Sequence, residues 1–462
     1  MSRKAVLDKV GDPGISLPKK QAIVPKEVYQ ARHKAMLEQM KAQRMDAVVI
    51  YADREHYSNF KYFTGFDPRF EEAALVLHQD GAAYILLGNE CYGMYATSQI
   101  DVKPIACQAF SLPNQPMETF TSFEDVFTQA GLAGKKKIGM IGWKLFTPAF
   151  GEGYKTMYCV PSFIVEGIAK IAGKDALINA TAMLVDAQDG LRCVNEAVQI
   201  AAFEYGAAYA SNGVMQAWKA LEPGLTERQV AENLKSYGLV YSCHPVVSIG
   251  ENTKRGMISP TDYAIQKGDP INIVMGLEGG LTCRNGYLAA DKEELPEGSK
   301  DYIEEYVLPY YFAVAAWYEM IGIGTPGGDI YAKMEELIPK EKFGWTLNNG
   351  HLCATEEWLS SPIWKGSKVP IKSGMIVQMD IIPFGAPIPP NVEDGICIAD
   401  AALRDEIKAG FPDVWERMQQ RRDYMQGTLG IRLKEEVLPM SNLAGLYRPL
   451  ALNRELGLKI TE

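Results

Sequence analysis

Five imidazoles are the side chains of this sequence best able to give and take protons near neutrality: His33, His56, His78, His244 and His351. His244 directly follows Cys243, and a thiol beside an imidazole is a possible activated nucleophile. The run His244 to Ile249 reads as a strand, however, and sequence neighbours on a strand point to opposite faces. The two are therefore not expected to act as a pair, and His244 reads as a core or sheet-edge residue. The remaining cysteines stand singly, at 91, 107, 159, 193, 283, 353 and 397, with no CxxC among them. This argues against a zinc ribbon and fits reduced thiols in the cytoplasm. Arg284, in Thr282-Cys283-Arg284-Asn285-Gly286, offers a guanidinium that could pair with a carboxylate or hold a substrate carboxylate by two parallel bonds. A solvated loop arginine is the plainer alternative. Trp358, Trp364 and Tyr287 could line an apolar or cation-binding pocket, or simply pack in the core.

Such groups need a frame. The chain has 462 residues, and single cores stop growing near ~250–300 residues, so more than one domain is expected. Hydrophobic residues make up 47% and charged residues 23%, which is ordinary globular composition rather than disorder. The net charge is −10, and no basic cluster exceeds Lys135-Lys136-Lys137, which argues against a nucleic-acid partner. There is no apolar run of signal-peptide length at the start and none of the ~18 residues that a membrane helix needs, so no membrane association is expected and the expected location is the cytoplasm.

Residues 1–26 read as a polar arm. From 27 to about 185, strands and helices alternate: a helix from Glu27 to Arg44, a buried strand from Asp46 to Tyr51, a hairpin across Gln79-Asp80-Gly81, and a strand from Lys137 to Gly142. That pattern predicts an α/β domain. A long helix from about Val194 to Trp218 then ends at Pro223-Gly224, and Thr226 to Gln229 forms a capping box for the next helix. The same phrase recurs about a hundred residues on, where a helix from Tyr302 to Met320 meets Gly324-Thr325-Pro326 and another helix. Strand-like runs follow each pair. A duplicated half and coincidence are both open on this pattern. Residues 406–462 read as a mostly helical tail.

Several phrases, in order, resemble the family of creatinase, Xaa-Pro aminopeptidase, prolidase and methionine aminopeptidase. They are Leu191-Arg192 to Glu196, Glu222 to Glu227, Lys267-Gly268-Asp269, Asn349-Gly350-His351, Ser373 to Val377, and Val392-Glu393-Asp394, with Tyr62 to Phe66 upstream. The resemblance implies an α/β (α+β) chain: a creatinase-type N-terminal α/β domain at 27–185 and a pseudo-symmetric "pita-bread" catalytic domain at 186–405. It also implies a homodimer in which the N-terminal domain borders the neighbour's site.

Peptidases of this family hold two divalent ions with two Asp, one His and two Glu, which generate a hydroxide nucleophile. Carried over residue by residue, the first Asp falls on Val274, which cannot ligate. The second falls on Asn285 or, by another count, on Ala290 or Asp291. The histidine is kept as His351, the first Glu is replaced by Asp380, and the second is Glu393. Two ions are therefore not expected. A single ion (Mn, Zn or Co) on His351, Asp380 and Glu393 is the alternative to no cofactor at all. Creatinase works without metal through a histidine that follows a turn like Gly250-Glu251-Asn252-Thr253, but here Met257-Ile258 occupy that place. His351, Glu357, Asp380 and Glu393 are thus the expected catalytic set. Arg284, Asp291 and Arg69 are the expected substrate-binding set, with Arg69 where creatinase-type domains offer an arginine to the neighbouring site. The leading expectation is a hydrolase cleaving a C–N bond of a small amide, ureido or guanidino compound. A single-metal aminopeptidase or prolidase-like enzyme, a lyase and a non-catalytic binding protein are the alternatives.

Overall fold

Strand Ala47–Ala52 is buried along its whole length and forms the centre of one six-stranded sheet. In a computed structural model describing residues 3–115 and 120–462, this sheet runs in the order 103–106, 83–87, 73–78, 47–52, 138–141, 177–179. Its hairpin, Ala73–His78 with Ala83–Leu87, is antiparallel, while Ala47–Ala52 pairs parallel with Ile138–Ile141. Helices Lys26–Ala42, Phe123–Gln129 and Ser162–Ala172 accompany it. Residues 24–192 form one compact unit around this sheet; residues 193–462 together with 1–23 form the other.

The second unit is built on a sheet of order 351–352, 376–379, 392–398, 280–287, 270–277, 241–249, antiparallel throughout, with 437–439 added beside 392–398. Helix Ala197–Ala220 packs against the strands Pro270–Leu277 and Gly280–Tyr287. It has small residues where the backbones approach: a Cβ on Gly206 would meet the carbonyl of Glu278 at 2.0 Å.

The two halves of this unit repeat one another in detail. In the first, Gly224 N donates to Ile265 O (2.8 Å) and Ile265 N to Leu225 O (2.8 Å). In the second, Gly324 N donates to Ile371 O (2.9 Å) and Ile371 N to Thr325 O (2.9 Å). The capping box of Thr226 and Gln229 is formed as the sequence implies. Helix Leu308–Met320, preceded by a π-turn at Ile303–Val307, is the second half's counterpart of Ala197–Ala220.

The structure departs from the sequence expectation at both chain ends. Within the supposed arm, Lys4–Lys9 is a strand, paired antiparallel over six residues with Leu456–Thr461. Arg3 grips Glu319 through two bonds of 2.7 and 2.8 Å. The tail is helical only over Ala401–Gly410 and Pro412–Asp423, plus a π-turn. Glu204, fully buried in helix Ala197–Ala220, accepts bonds from Arg417 (2.6 Å) and Arg421 (2.5 Å), so the tail is pinned into the unit's interior. No helix among the described residues is long and apolar enough to cross a membrane.

Candidate active site

Strand register assembles the site. Across the second unit's sheet, Cys283 lies opposite both Glu393 and Val274, and Val274 lies opposite Val246. Met379 pairs with Asp394, so the next residue, Asp380, continues the register towards Glu393. Asp380, Glu393, Cys283, Val274 and Val246 therefore form one cross-strand row on one face, with opposed Cα atoms about 4.5–5.5 Å apart. His351 pairs with Gln378, two positions along the same face from Asp380. The row is polar at one end and apolar at the other, where Val246, Val274, Leu281 and Cys283 pack together with Cys243.

At the polar end, His351 is fully buried. Its Nδ1 lies 3.2 Å from Leu352 O. A carbonyl only accepts, so in the neutral ring this contact places the proton on Nδ1 and leaves the Nε2 lone pair facing the cluster. Nε2 lies 2.9 Å from Glu357 Oε1 and 3.9 Å from Asp380 Oδ2. Apart from this close ion-pair approach to Glu357, Nε2 has no hydrogen-bond partner among the described residues. Asp380 Oδ1, Gln378 Oε1 and Asn391 Oδ1 are likewise buried without one. Gln378 Nε2 donates to Leu281 O (2.5 Å) and reaches Glu393 Oε1 at 3.4 Å. Trp358 stacks on the imidazole, with ring centroids 4.1 Å apart.

Three carboxyls converge here, and among the described residues their one basic partner is His351. Burial pushes the imidazole down, but the charges of Glu357 and Asp380 outweigh it, so His351 holds its proton above the ordinary histidine range. Burial pushes the Asp380 carboxyl up to about 7. Burial, reinforced by Asp380 and Glu357, holds Glu393 well above the usual carboxylate range. Neighbouring thiols feel the same field. Burial and then Glu357 and Glu393 raise Cys243 to about 12, and burial first, then nearby carboxylates, raises Cys283 and Cys353 well above their usual value.

Two ions do not fit this site, because Val274 and Cys283 stand in an apolar patch where carboxylates would be needed. One ion does fit. One ligand atom each from His351, Glu357 and Glu393 lies within 4.8 Å of the other two, around unpartnered buried acceptors. A divalent ion held there would supply Lewis-acid polarisation and an acidified water. The tight set thus contains Glu357 in place of the expected Asp380, which stands beside it.

The expected substrate-binding residues fall elsewhere. Arg284 points to the opposite face, where it is buried against Asp394 (2.6 Å) and donates to the carbonyls of Leu446, Cys283 and Leu443 at 2.7–2.8 Å. It is committed to structure: it donates to the main-chain carbonyl of Glu393 (3.3 Å), and among the described residues its ion pair is with Asp394 rather than with the carboxyl of Asp380 or Glu393. Asp291 is exposed and caps a short turn by accepting from Glu293 N at 2.9 Å. Arg69 belongs to the other unit, where it donates to Arg54 O and lies over the Tyr57 ring. His244 is exposed, with Nε2 2.9 Å from Met257 O. Tyr287 is buried and bonded to Ser299 (2.8 Å), a core residue. The count of eleven residues from Val274 had pointed to Asn285. The two-residue turn Glu278-Gly279 instead brings Cys283 opposite Val274, and Asn285 faces Asn272. Glu278-Gly279-Gly280 is the sequence signal for that tight turn.

The fold is thus a creatinase-type N-terminal domain joined to a duplicated catalytic domain. The model of metallopeptidase family M24 matches residues 202–437, and that of the creatinase/prolidase N-terminal domain matches residues 32–164. The chain belongs to metallopeptidase family M24, a family of hydrolases. No curated protein matches it. Among solved structures it is similar to the prolidase of Pyrococcus horikoshii, at 18% identity and a TM-score of 0.61 over 80% of this chain and 95% of that one. The Xaa-Pro dipeptidase of Bacillus anthracis is similar at 14% identity, with a TM-score of 0.59 over 81% and 96%. A variant of Escherichia coli aminopeptidase P matches at 15% identity, with a TM-score of 0.57 over 84% and 98%. At these identities the likeness speaks for the fold.

Proposed function

We propose that this chain hydrolyses a C–N bond of a peptide or small peptide-like substrate, with one divalent ion held by His351, Glu357 and Glu393. The observation that carries the reading is the convergence of those three ligand atoms within 4.8 Å, in a buried site with more carboxyls than cations. Bound there, the ion supplies the Lewis acid. Glu357, the most exposed of the carboxyls with a quarter of its side chain accessible, meets incoming substrate and water. Asp380, 3.9 Å from His351, is the carboxyl left over for proton transfer to the leaving nitrogen. Membership of a peptidase family, and the prolidase and aminopeptidase P folds it resembles, support a peptide substrate over the amide, ureido or guanidino compounds first expected.

A metal-free, creatinase-like reading draws on one observation: the apolar patch of Val246, Val274, Leu281 and Cys283 has replaced half of a two-ion site. The same family likeness supports a cytoplasmic homodimer, for which sedimentation at micromolar concentration is the test. To choose between the two chemistries, the full chain is assayed with Xaa-Pro dipeptides and longer Xaa-Pro peptides, with and without chelator. Chelator-sensitive release of the N-terminal residue is expected. Chelator-insensitive turnover of a ureido or guanidino compound, with peptides untouched, would overturn the proposal.

A further inference from the structure

We propose that the second unit carries a further ligand site, on the face of its sheet away from His351 and Glu393, for a small carboxylate with an apolar, single-ring body. A cavity lies between helix Ala197–Ala220 and the segment 443–448. Val214, Met215 and Trp218 line it from the helix, and Leu443, Leu446 and Arg448 from the segment. It measures about 360 Å³ with its mouth included. Apolar walls with a few convergent polar groups are the ordinary make-up of a small-molecule site.

Two donors call for an acceptor. Trp218 and Arg448 are each at least nine-tenths buried. Among the described residues, neither Trp218 Nε1 nor Arg448 Nε has a hydrogen-bond partner. The other nitrogens of that guanidinium are used: Nη1 donates to Asp12 (2.7 Å) and Nη2 to Val10 O (2.8 Å). A buried indole N–H ordinarily finds an acceptor, and native structures leave few such donors unsatisfied. A carboxylate, which only accepts and has two oxygens, is the chemistry that answers both. Charge points the same way. Three cations line the cavity, Lys219, Arg284 and Arg448, and their ion-pair partners among the described residues are two carboxylates, Asp12 and Asp394.

The walls are set by bonds that need no ligand. Arg284 donates to Leu446 O (2.8 Å) and Leu443 O (2.7 Å), and Leu446 N donates to Leu443 O (2.8 Å). Opposite them, Lys219 and Arg448 share Asp12 at 2.5 and 2.7 Å. A site held this way loses little conformational freedom on binding. Because Arg284 and Glu393 point to opposite faces of the sheet, an occupant here does not compete for the catalytic cluster.

Calorimetric titration of the full-length chain with phenylacetate, and with its neutral isostere phenylacetamide, is the test. One equivalent of phenylacetate should bind, with the amide about tenfold weaker or more, since hydrogen bonds to a charged group are the stronger ones. Trp218→Phe keeps the apolar wall but removes the indole donor, and should weaken phenylacetate about tenfold. Met215→Trp, at a half-buried position, fills the cavity and should abolish binding even if the Trp218 variant folds poorly; thermal melting checks both. His351→Ala should bind as the parent does. Equal affinity for acid and amide, unchanged affinity in a folded Trp218→Phe or Met215→Trp protein, loss of binding in His351→Ala, or no binding at millimolar phenylacetate would each overturn the proposal.

Discussion

Cys283 and Arg284, and across from them Glu393 and Asp394, are neighbours in sequence whose side chains lie on opposite faces of the same two strands. On one face the charges are closed. Arg284 meets Asp394 at 2.6 Å, and Ser441 Oγ donates to Asp394 at 2.6 Å. Leu443 and Leu446 lend their carbonyls to the guanidinium. On the other face, among the described residues, the Glu393 carboxyl has only Gln378 as a hydrogen-bond partner, Asp380 Oδ1 has none, and His351 Nε2 has only its close approach to Glu357. Burial is nearly the same on both sides. A buried charge that is paired and fully hydrogen-bonded serves structure, whereas a buried acid set without its cation marks a place where something binds. One step along the strand separates the two roles.

The comparison can be broken from either face. The largest effect is expected from the open one: His351→Ala removes one of the three proposed metal ligands and should cost more in turnover than the about 10–100-fold lost with an outer partner of a ligand, with a melting temperature of the metal-free protein close to that of the parent. A destabilised protein with normal turnover per folded molecule would make His351 structural. On the closed face, Asp394→Ala strands a buried guanidinium and should cost about 3–5 kcal/mol of stability in denaturant unfolding; a cost below about 1 kcal/mol would mean that the closed network holds nothing together. Glu393→Gln sharpens the contrast. Burial already disfavours that charge, so stability should hold or rise while metal affinity falls; calorimetric titration with Zn²⁺ reads the second, and unchanged affinity would remove Glu393 from the ligand set.

The smallest effect lies at the surface. Asp12 bridges Lys219 (2.5 Å) and Arg448 (2.7 Å) and holds the N-terminal segment. Partial burial pushes its carboxyl up, but the two cations outweigh that and hold it below the usual range. A depressed folded pKa gives stability that is present above the unfolded value, near 4, and lost as pH falls through the folded value. Asp12→Asn should therefore be less stable than the parent at pH 7 by under about 1 kcal/mol, with the gap closing below about pH 4. A gap that is unchanged at acid pH would contradict this.

Much of the frame was legible in the sequence because it rests on local signals. The capping box at Thr226, the Pro-Gly turns and the ordered phrases from Leu191 to Asp394 each carry their own physics, and His351, Glu357, Asp380 and Glu393 do come together. What stayed hidden depends on register and on distant partners. The length of one hairpin turn decides whether Asn285 or Cys283 faces Val274, and counting residues cannot see it. Arg284 looked available because its acceptors, Leu443, Leu446 and Asp394, lie 110 or more residues away in the chain. The strand at Lys4–Lys9 finds its partner only at the other end of the chain, so no local pattern announces it.

Elemental analysis of the full-length chain, purified without chelator, tests the central claim most directly. Val274 and Cys283 stand in an apolar patch, while one ligand atom each from His351, Glu357 and Glu393, the set proposed to hold a single ion, lies within 4.8 Å of the other two. One equivalent of a divalent transition ion per chain is the predicted result. Two equivalents would contradict the apolar reading of the row, and none, even after incubation with Zn²⁺ or Co²⁺, would contradict the metal site itself.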